Sequence, residues 1–354
     1  MKGAAALAVA LAVGGCAKKH WISHACAHAV SPRRDAIVYV TDDAVALRRA
    51  DGEHRVKLEG CLAPGKDIDH VIALADGWRA LAFGYRVHGG NIIESGEVED
   101  TVECLIDFRA KTATPIDGSL FIDDMRHLDA TVGAESGWVY VHSLIDPPRV
   151  VDVARGAFAE LAGIPDMNAS GAAIAERAGT GRVVTASYEQ TDPSHPIYKF
   201  TIVVYEVTLG AWPPAVTRAA EIPVSGRADQ LRISDDARWV AYSGNPWRPD
   251  GARVFDAGLV DLEKRAVAWE LLAQPVELDV ADVVAGADGP RVLALERDPM
   301  ASYDTGRLVW LSAAGARAEK TAKVRGMTAS WLPWRKRVLL DDQCDLDERD
   351  LPPP

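Results

Sequence analysis

One stretch decides the fold: Arg232-Ile-Ser-Asp-Asp-Ala-Arg-Trp-Val-Ala-Tyr-Ser243. Its first residues alternate, Asp235-Asp236 supply a turn, and an aromatic and β-branched run follows, which is the pattern of two strands joined by a tight turn. Val254–Leu262 and Ala266–Leu271 follow as further apolar, β-rich runs. The region therefore predicts a unit of four consecutive antiparallel strands.

The second strand of this unit recurs along the whole chain. Each copy is a short run rich in Val, Ile, Leu, Ala and aromatic residues, several of them after an Asp- or Gly-containing turn. The copies are Ala36–Val40, Arg79–Phe83, Trp138–Val141, Arg182–Ala186, Arg238–Tyr242, Arg291–Leu295 and Arg337–Leu340. Four-stranded units at intervals of roughly 40–60 residues are typical of β-propeller blades, and long amphipathic helical patterns are missing.

The 232–243 stretch resembles the Ser-Pro-Asp-Gly-Arg-Trp repeat of TolB-type and other WD40-like propellers. Two positions depart from that repeat, since Asp235 stands in place of Pro and Ala237 in place of Gly. The resemblance implies an all-β propeller over residues 36–343, followed by a C-terminal tail over 344–354. A pair of β-sandwiches would give similar alternating strands and is the alternative.

Closure of the ring sets the number of blades. The N-terminal unit has three recognisable strands and the C-terminal unit has two, Met327–Trp331 and Arg337–Leu340. Joining the two units into one composite blade would remove both exposed sheet edges. We therefore expect six blades, with seven as the alternative.

The N-terminus carries an export signal. Lys2 precedes an apolar run, Ala4–Val13, that is too short to span a bilayer, which needs about 20 residues. Val13-Gly14-Gly15-Cys16 resembles the lipobox of bacterial lipoproteins. This resemblance implies a signal peptide over 1–15, a lipid on Cys16, a tether over 16–35 and, because Ala17 rather than Asp follows, an address at the outer membrane. An ordinary secretory signal is the alternative.

Composition limits the partners. Lys and Arg number 39 and Asp and Glu 51, which gives a formal net charge of −12. Nucleic-acid binders concentrate positive charge, so we expect no nucleic-acid partner. The same balance argues against the body lying flat on an anionic membrane.

Four cysteines besides Cys16 suggest two disulfides in an oxidising compartment. The proposed closure places Cys26 near Cys344, and Cys61 and Cys104 in successive units. We therefore expect the pairs Cys26–Cys344 and Cys61–Cys104, with four free or buried thiols as the alternative.

Candidate site residues are few. His20, His24 and His28 would share one face of a helix and are weak candidates for a metal site. Trp247 and Arg248 lie between prolines in a predicted loop. Exposed aromatic and Arg residues are typical of recognition surfaces, so we expect binding contacts from predicted loops at Tyr188–Tyr198, Asn245–Gly251 and Arg297–Thr305, the last of which holds Tyr303.

No nucleophile elbow, phosphate loop or zinc-protease motif occurs, and no catalytic residue or cofactor is predicted. We expect a membrane-tethered scaffold of the cell envelope that binds a protein or a ligand. The alternative is a lactonase- or lyase-like propeller enzyme with a metal-dependent site in its central channel.

Overall fold

The computed structural model describes residues 21–22, 27–41, 44–59, 61, 67–87, 98–116, 129–142, 148–164, 172–192, 197–246, 253–298, 305–317, 322–325, 328–342 and 345–350. All regular structure in these ranges is β-strand, in seven four-stranded antiparallel sheets. In these ranges no helix is long and apolar enough to cross a membrane.

Each sheet is one blade of a seven-bladed β-propeller, and in blades 1 to 6 the four strands follow chain order from the central channel outward. Blade 1 consists of β2 (His28–Val30), β3 (Ala36–Val40), β4 (Ala44–Arg49) and β5 (Gly52–Lys57). Blade 2 consists of β6 (Asp67–Ala73), β7 (Arg79–Val87), β8 (Val98–Asp107) and β9 (Thr112–Ile116). Blade 3 consists of β10 (Asp129–Val132), β11 (Val139–His142), β12 (Arg149–Asp152) and β13 (Ala157–Glu160).

The next three blades are built in the same way. Blade 4 consists of β14 (Ala173–Arg177), β15 (Thr180–Asp192), β16 (Ile197–Thr208) and β17 (Val216–Val224). Blade 5 consists of β18 (Gln230–Ile233), β19 (Trp239–Gly244), β20 (Phe255–Asp261) and β21 (Ala266–Gln274). Blade 6 consists of β22 (Glu277–Gly286), β23 (Gly289–Arg297), β24 (Thr305–Leu311) and β25 (Ala322–Arg325).

Blade 7 closes the ring with both ends of the chain. From the channel outward it consists of β26 (Thr328–Leu332), β27 (Arg337–Asp342), β28 (Asp345–Asp350) and β1 (Trp21–Ile22). The composite closing blade is thus present, but it takes only β1 from the N-terminal part of the chain.

The expected number of six blades is wrong, and seven is correct. The N-terminal unit has its own inner strand, His28–Val30, and the C-terminal unit has a third strand, Asp345–Asp350. Strands therefore lie on both sides of the 36–343 range predicted for the propeller.

The core is divided among the seven contacts between neighbouring blades. Each contact has its own cluster of buried apolar residues, and the contact between blade 7 and blade 1 is made by Ile37, Tyr39, Ala46, Leu332, Leu339 and Leu346. A blade buries both faces of its sheet against neighbours, which is why its middle strands are apolar on both sides. In β20, for example, every residue from Phe255 to Asp261 is buried.

The two ends of the ring differ. Because the strands are antiparallel, the turns that join first to second and third to fourth strands lie at one end, which we call the turn face. The connections between second and third strands, and those between blades, lie at the other end, which we call the loop face. The candidate sites lie at these two faces.

Candidate functional site

The central channel opens on the turn face into a cavity of about 260 Å³. Its walls come from the inner strands of blades 1, 3, 4, 5, 6 and 7 and from the turns that follow them. Its polar lining includes Ser31, Arg34, Glu176, Arg232, Asp235 and Asp282. An adjoining space of about 270 Å³ between blades 1, 2 and 3 is lined mainly by Val, Ile and Ala side chains.

Arg34 reaches across this cavity from the first turn of blade 1. Its Nε lies 3.0 Å from Asp235 Oδ1 of blade 5, and its Nη1 lies 2.5 Å from Asp282 Oδ2 of blade 6. The side chains of Arg34 and Asp282 are 14% and 8% exposed, whereas that of Asp235 is 64% exposed. Burial opposes the charge of Arg34, but the attraction of the two carboxylates outweighs it and raises the pKa of the guanidinium.

Asp282 is placed by a β-bulge. The register of β22 against β23 shifts between Val280 and Asp282, and a bulge of this kind re-aims the side chain beside it. The carboxylate accepts the N–H of Trp331 from blade 7 at 2.9 Å as well as Arg34. The Arg34 cluster therefore joins blades 1, 5, 6 and 7 at the mouth of the channel.

The carboxylates of Glu176 in blade 4 and Glu135 in blade 3 each accept hydrogen bonds from backbone N–H groups of the other blade. Buried Glu176 accepts the N–H groups of Glu135 and Ser136 at 2.9 and 2.7 Å, together with the hydroxyls of Ser136 and Tyr140. Glu135 in turn accepts the N–H groups of Ala178 and Gly179, and these two bonds lower its pKa. A side chain at Gly133 would collide with the Glu176 carboxylate. Both carboxylates thus hold turns together.

On the loop face, β15 and β16 form the longest hairpin among the described strands. Residues 186–192 and 197–202 of these strands form what we call the aromatic hairpin. Residues 186–192 extend past the end of β14, and residues 197–199 extend past the end of β17. Register pairs Tyr188 with Phe200 and Gln190 with Tyr198. Because side chains alternate along a strand, the three rings share one face of the hairpin.

The three rings form one cluster. The centroids of Tyr188 and Tyr198 are 5.4 Å apart in an edge-to-face arrangement, and Phe200 lies 6.1 and 6.3 Å from them. Tyr188 is 53% exposed, and the other two rings are partly buried. On the same face Ala186 and Ile202 belong to the apolar contact between blades 4 and 5. The three rings therefore extend the buried apolar contact between blades 4 and 5 to the exposed end of the hairpin.

The predicted site residues have different outcomes. The disulfide Cys61–Cys104 is present, with Cα atoms 6.0 Å apart, and it joins the segment after blade 1 to the third strand of blade 2. Cys16, Cys26 and Cys344 lie outside the described residues, as do Trp247, Arg248 and Tyr303. Within the predicted loop Tyr188–Tyr198, residues 188–192 are instead part of β15 and residues 197–198 part of β16, because alternation continues through both strands; residues 193–196 lie outside the described residues.

Of the three histidines that would share a helical face, only His28 lies within the described residues. His20 and His24 lie outside the described residues, but Trp21–Ile22 is a strand of blade 7 and His28 begins the inner strand of blade 1. Burial lowers the pKa of His28, nearby Asp341 opposes this effect and His70 adds to it. Among the described residues no group of three or more His, Cys, Asp or Glu side chains converges as a metal site.

Sequence reasoning missed the Arg34 cluster and Phe200. Arg34 and Asp282 are 248 positions apart, and no local pattern connects them. For Phe200 a signal did exist, because Ile197–Val204 is an apolar run that continues the alternation of a strand.

Fold and sites together define a seven-bladed β-propeller with the Arg34 cluster at the mouth of its channel and an exposed aromatic hairpin. No protein-family model matches the chain, and no curated protein sequence matches it significantly.

Proposed function

We propose that the chain is a lipid-tethered protein of a bacterial cell envelope whose propeller binds a protein partner through the loop face. The aromatic hairpin would be the main contact. The observation that carries this proposal is Tyr188, whose ring is 53% exposed at the end of a rigid hairpin.

The chemistry of the hairpin fits a protein partner. Tyr contributes a large apolar area and a polar hydroxyl with little loss of side-chain entropy, and aromatic residues dominate binding energy at protein interfaces. The paired strands and the edge-to-face rings hold Tyr188, Tyr198 and Phe200 in place before binding. A partner with an apolar or proline-rich surface would cover them.

The tether is supported by the N-terminal sequence. Val13-Gly14-Gly15-Cys16 follows a short apolar segment, and a lipoprotein-type cysteine carries several acyl chains, which makes attachment stable where one chain would not. The Cys61–Cys104 bridge agrees with an exported chain, because disulfides persist in oxidising compartments.

Mass spectrometry of the mature N-terminal peptide tests the tether. We expect a peptide that begins at Cys16 and carries acyl chains, and we expect Cys16→Ser to release the protein from the membrane fraction. A mature N-terminus without lipid at another position would overturn the tether.

A photoreactive residue at position 188 tests the partner surface in intact cells. We expect one discrete cross-linked product, which Tyr198→Ser with Phe200→Ser removes while the fold is retained by circular dichroism. Phe158, 44% exposed on the outer strand of blade 3, is the control position. No product at 188, or the same products at 158, would overturn the assignment of the hairpin.

The channel offers no comparable support for the enzyme alternative. Asp235 and Asp282 are engaged by Arg34, and Glu176 is engaged by two backbone N–H groups and two hydroxyls. These carboxylates stabilise turns and blade contacts.

A further inference from the structure

The direction of β1 fixes where the chain enters the propeller. In blade 7, Arg337 pairs with Asp350 at the turn face, and Asp342 pairs with Asp345 at the loop face. Ile22 pairs with Leu346 and Trp21 with Asp347. Going from Ile22 to Trp21 therefore leads toward the turn face, and the chain before Trp21 joins the propeller in that direction.

The distance from this point to Cys16 is short. Five residue steps separate the Cα atoms of Cys16 and Trp21, and an extended chain spans at most about 3.6 Å per step, or about 18 Å in all. A lipid on Cys16 would hold the edge of blade 7 within that distance of the membrane. Blade 7 would be the part nearest to it, with blade 6 on one side of blade 7 and blades 1 and 2 on the other.

The turns at the turn face of blades 7, 1 and 2 are basic. Its turns, residues 333–336, 31–35, 50–51, 74–78 and 108–111, contain six basic and three acidic residues, in a chain whose net charge is −12. The basic residues are Arg33, Arg34, Arg109, Lys111, Arg335 and Lys336. We call this surface the basic sector.

The three acidic residues of the basic sector are all engaged by basic side chains. Asp35 lies 3.3 Å from Arg49, Asp51 lies 3.9 Å from the same arginine, and Asp76 lies 2.5 Å from Arg79. These arginines belong to the strands that flank the turns, so the pairing is internal to the fold. The net charge of the basic sector therefore comes from its exposed Arg and Lys side chains.

Four of those cations are exposed: Arg33, Arg109, Lys111 and Lys336. None of the four forms an ion pair within the part of the chain that the structure describes. The guanidinium of Arg109 also lies 4.6 Å from the ring centroid of Trp78, and that of Arg49 lies 4.7 Å from the same centroid. These cation–π contacts hold the Arg109 side chain in place.

The opposite edge of blade 7 has the reverse charge. Asp341, Asp342 and Asp345 lie where β27 meets β28 at the loop face. Anionic headgroups attract basic segments within about a Debye length of the surface. The direction of β1 and the distribution of charge thus both favour the turn face as the one nearer the membrane.

We propose that the basic sector rests on an anionic phospholipid surface, so that the loop face and its aromatic hairpin point away from the membrane. This inference rests on the proposed lipid tether, and it names the orientation that the tether imposes. Each basic residue near such a surface strengthens binding by roughly fivefold. Four exposed cations would therefore give the body weak, salt-sensitive attraction that adds to the lipid.

The test uses the chain from residue 16 with Cys16→Ser, which has no lipid. We expect it to sediment at low salt with vesicles that contain about one third phosphatidylglycerol, and not with pure phosphatidylcholine. The variant R33E/R109E/K111E/K336E should lose at least about tenfold in binding. The matched variant K199E/R218E/R253E/R307E, which reverses four exposed cations of blades 4 to 6, should lose less than about twofold.

Equal losses in the two variants, or no preference for the anionic vesicles, would overturn the orientation. The result is separate from the tether. Vesicle binding through the basic sector with an unlipidated mature N-terminus would support the basic sector as the membrane-facing surface and contradict the tether. A lipidated N-terminus without such binding would support the tether and contradict the basic sector as the membrane-facing surface.

Discussion

Arg34 adopts a left-handed backbone conformation, with φ of 56°, at the position that Gly77 occupies in the corresponding turn of blade 2 and Ala237, with φ of 54°, in that of blade 5. For a residue other than glycine this conformation costs about 1 kcal/mol or more. The cost is offset by the contacts of the side chain with Asp235 and Asp282. At this position of blade 1 the side chain can cross the channel.

We expect Arg34→Ala to lower the free energy of unfolding by about 3 kcal/mol, because removing one partner leaves buried Asp282 without its counter-charge. Urea unfolding would measure the change. Arg33→Ala, which removes the exposed neighbour, should change stability by less than about 0.5 kcal/mol. Equal effects of the two substitutions would contradict the role given to Arg34.

Glu270 gives stability a defined dependence on pH. Burial opposes its ionisation, but hydrogen bonds from the Tyr242 hydroxyl and the Ser225 N–H hold its pKa below the ordinary value of 4.5. A group with a lowered folded pKa contributes stability that is complete above its unfolded pKa and is lost as the pH falls through the folded one.

We therefore expect Glu270→Gln to destabilise the protein by about 2 kcal/mol at pH 7. The difference from the wild type should shrink as the pH falls below about 4.5, since the wild type then loses the charged hydrogen bonds. Unfolding curves at several pH values would show this convergence. Glu263→Gln, which removes an exposed carboxylate, is the control, and a constant difference for Glu270→Gln at all pH values would refute the explanation.

At the scale of the strand, sequence signals vary with how a strand is buried. The second strand of each blade packs apolar residues on both faces and was recognisable in all seven blades. β28 was missed because Asp-Leu-Asp-Glu-Arg-Asp offers only Leu346 to the core, while Glu348 faces Arg48, Arg335 and Arg337 at 3.3 to 3.8 Å. β2 was missed because it has three residues. These two strands account for the wrong number of blades.

The Cys61–Cys104 bridge joins elements 43 positions apart. On chain-entropy grounds closing such a segment stabilises the fold by about 4 kcal/mol. We expect Cys61→Ala with Cys104→Ala to lower the melting temperature measured by calorimetry, and reducing agent to have the same effect on the wild type. If reducing agent lowered the melting temperature of the double variant by as much, the effect would come from another disulfide.

At the scale of the whole molecule, ring closure should make all seven blade contacts equivalent. Leu332 at the contact of blades 7 and 1 and Leu259 at that of blades 5 and 6 are both fully buried. We expect Leu332→Ala and Leu259→Ala each to cost about 3 kcal/mol in unfolding free energy. A cost below about 1 kcal/mol for Leu332→Ala alone would mean that the ring is open.

Net charge describes the chain as a whole and not each surface of the folded protein. The value of −12 led to the expectation that the body would avoid an anionic membrane. Folding brings turns from blades 7, 1 and 2 together and pairs their acidic residues with arginines of neighbouring strands, so one sector is basic although the chain is acidic. Such segregation depends on long-range topology, which composition does not contain.

The pairing of β1 with β28 has a mechanical consequence. A pull on the N-terminus acts along β1, of which the described residues are Trp21 and Ile22, both paired with β28. In a chain without the expected Cys26–Cys344 bridge, force would break this short pairing before it reached the inner strand at His28, and the freed chain up to Ala27 would add about 20 Å to the tether. The three other strands of blade 7, and the other six blades, would stay joined. The outermost strand thus acts as a weak link that yields under load and spares the ring.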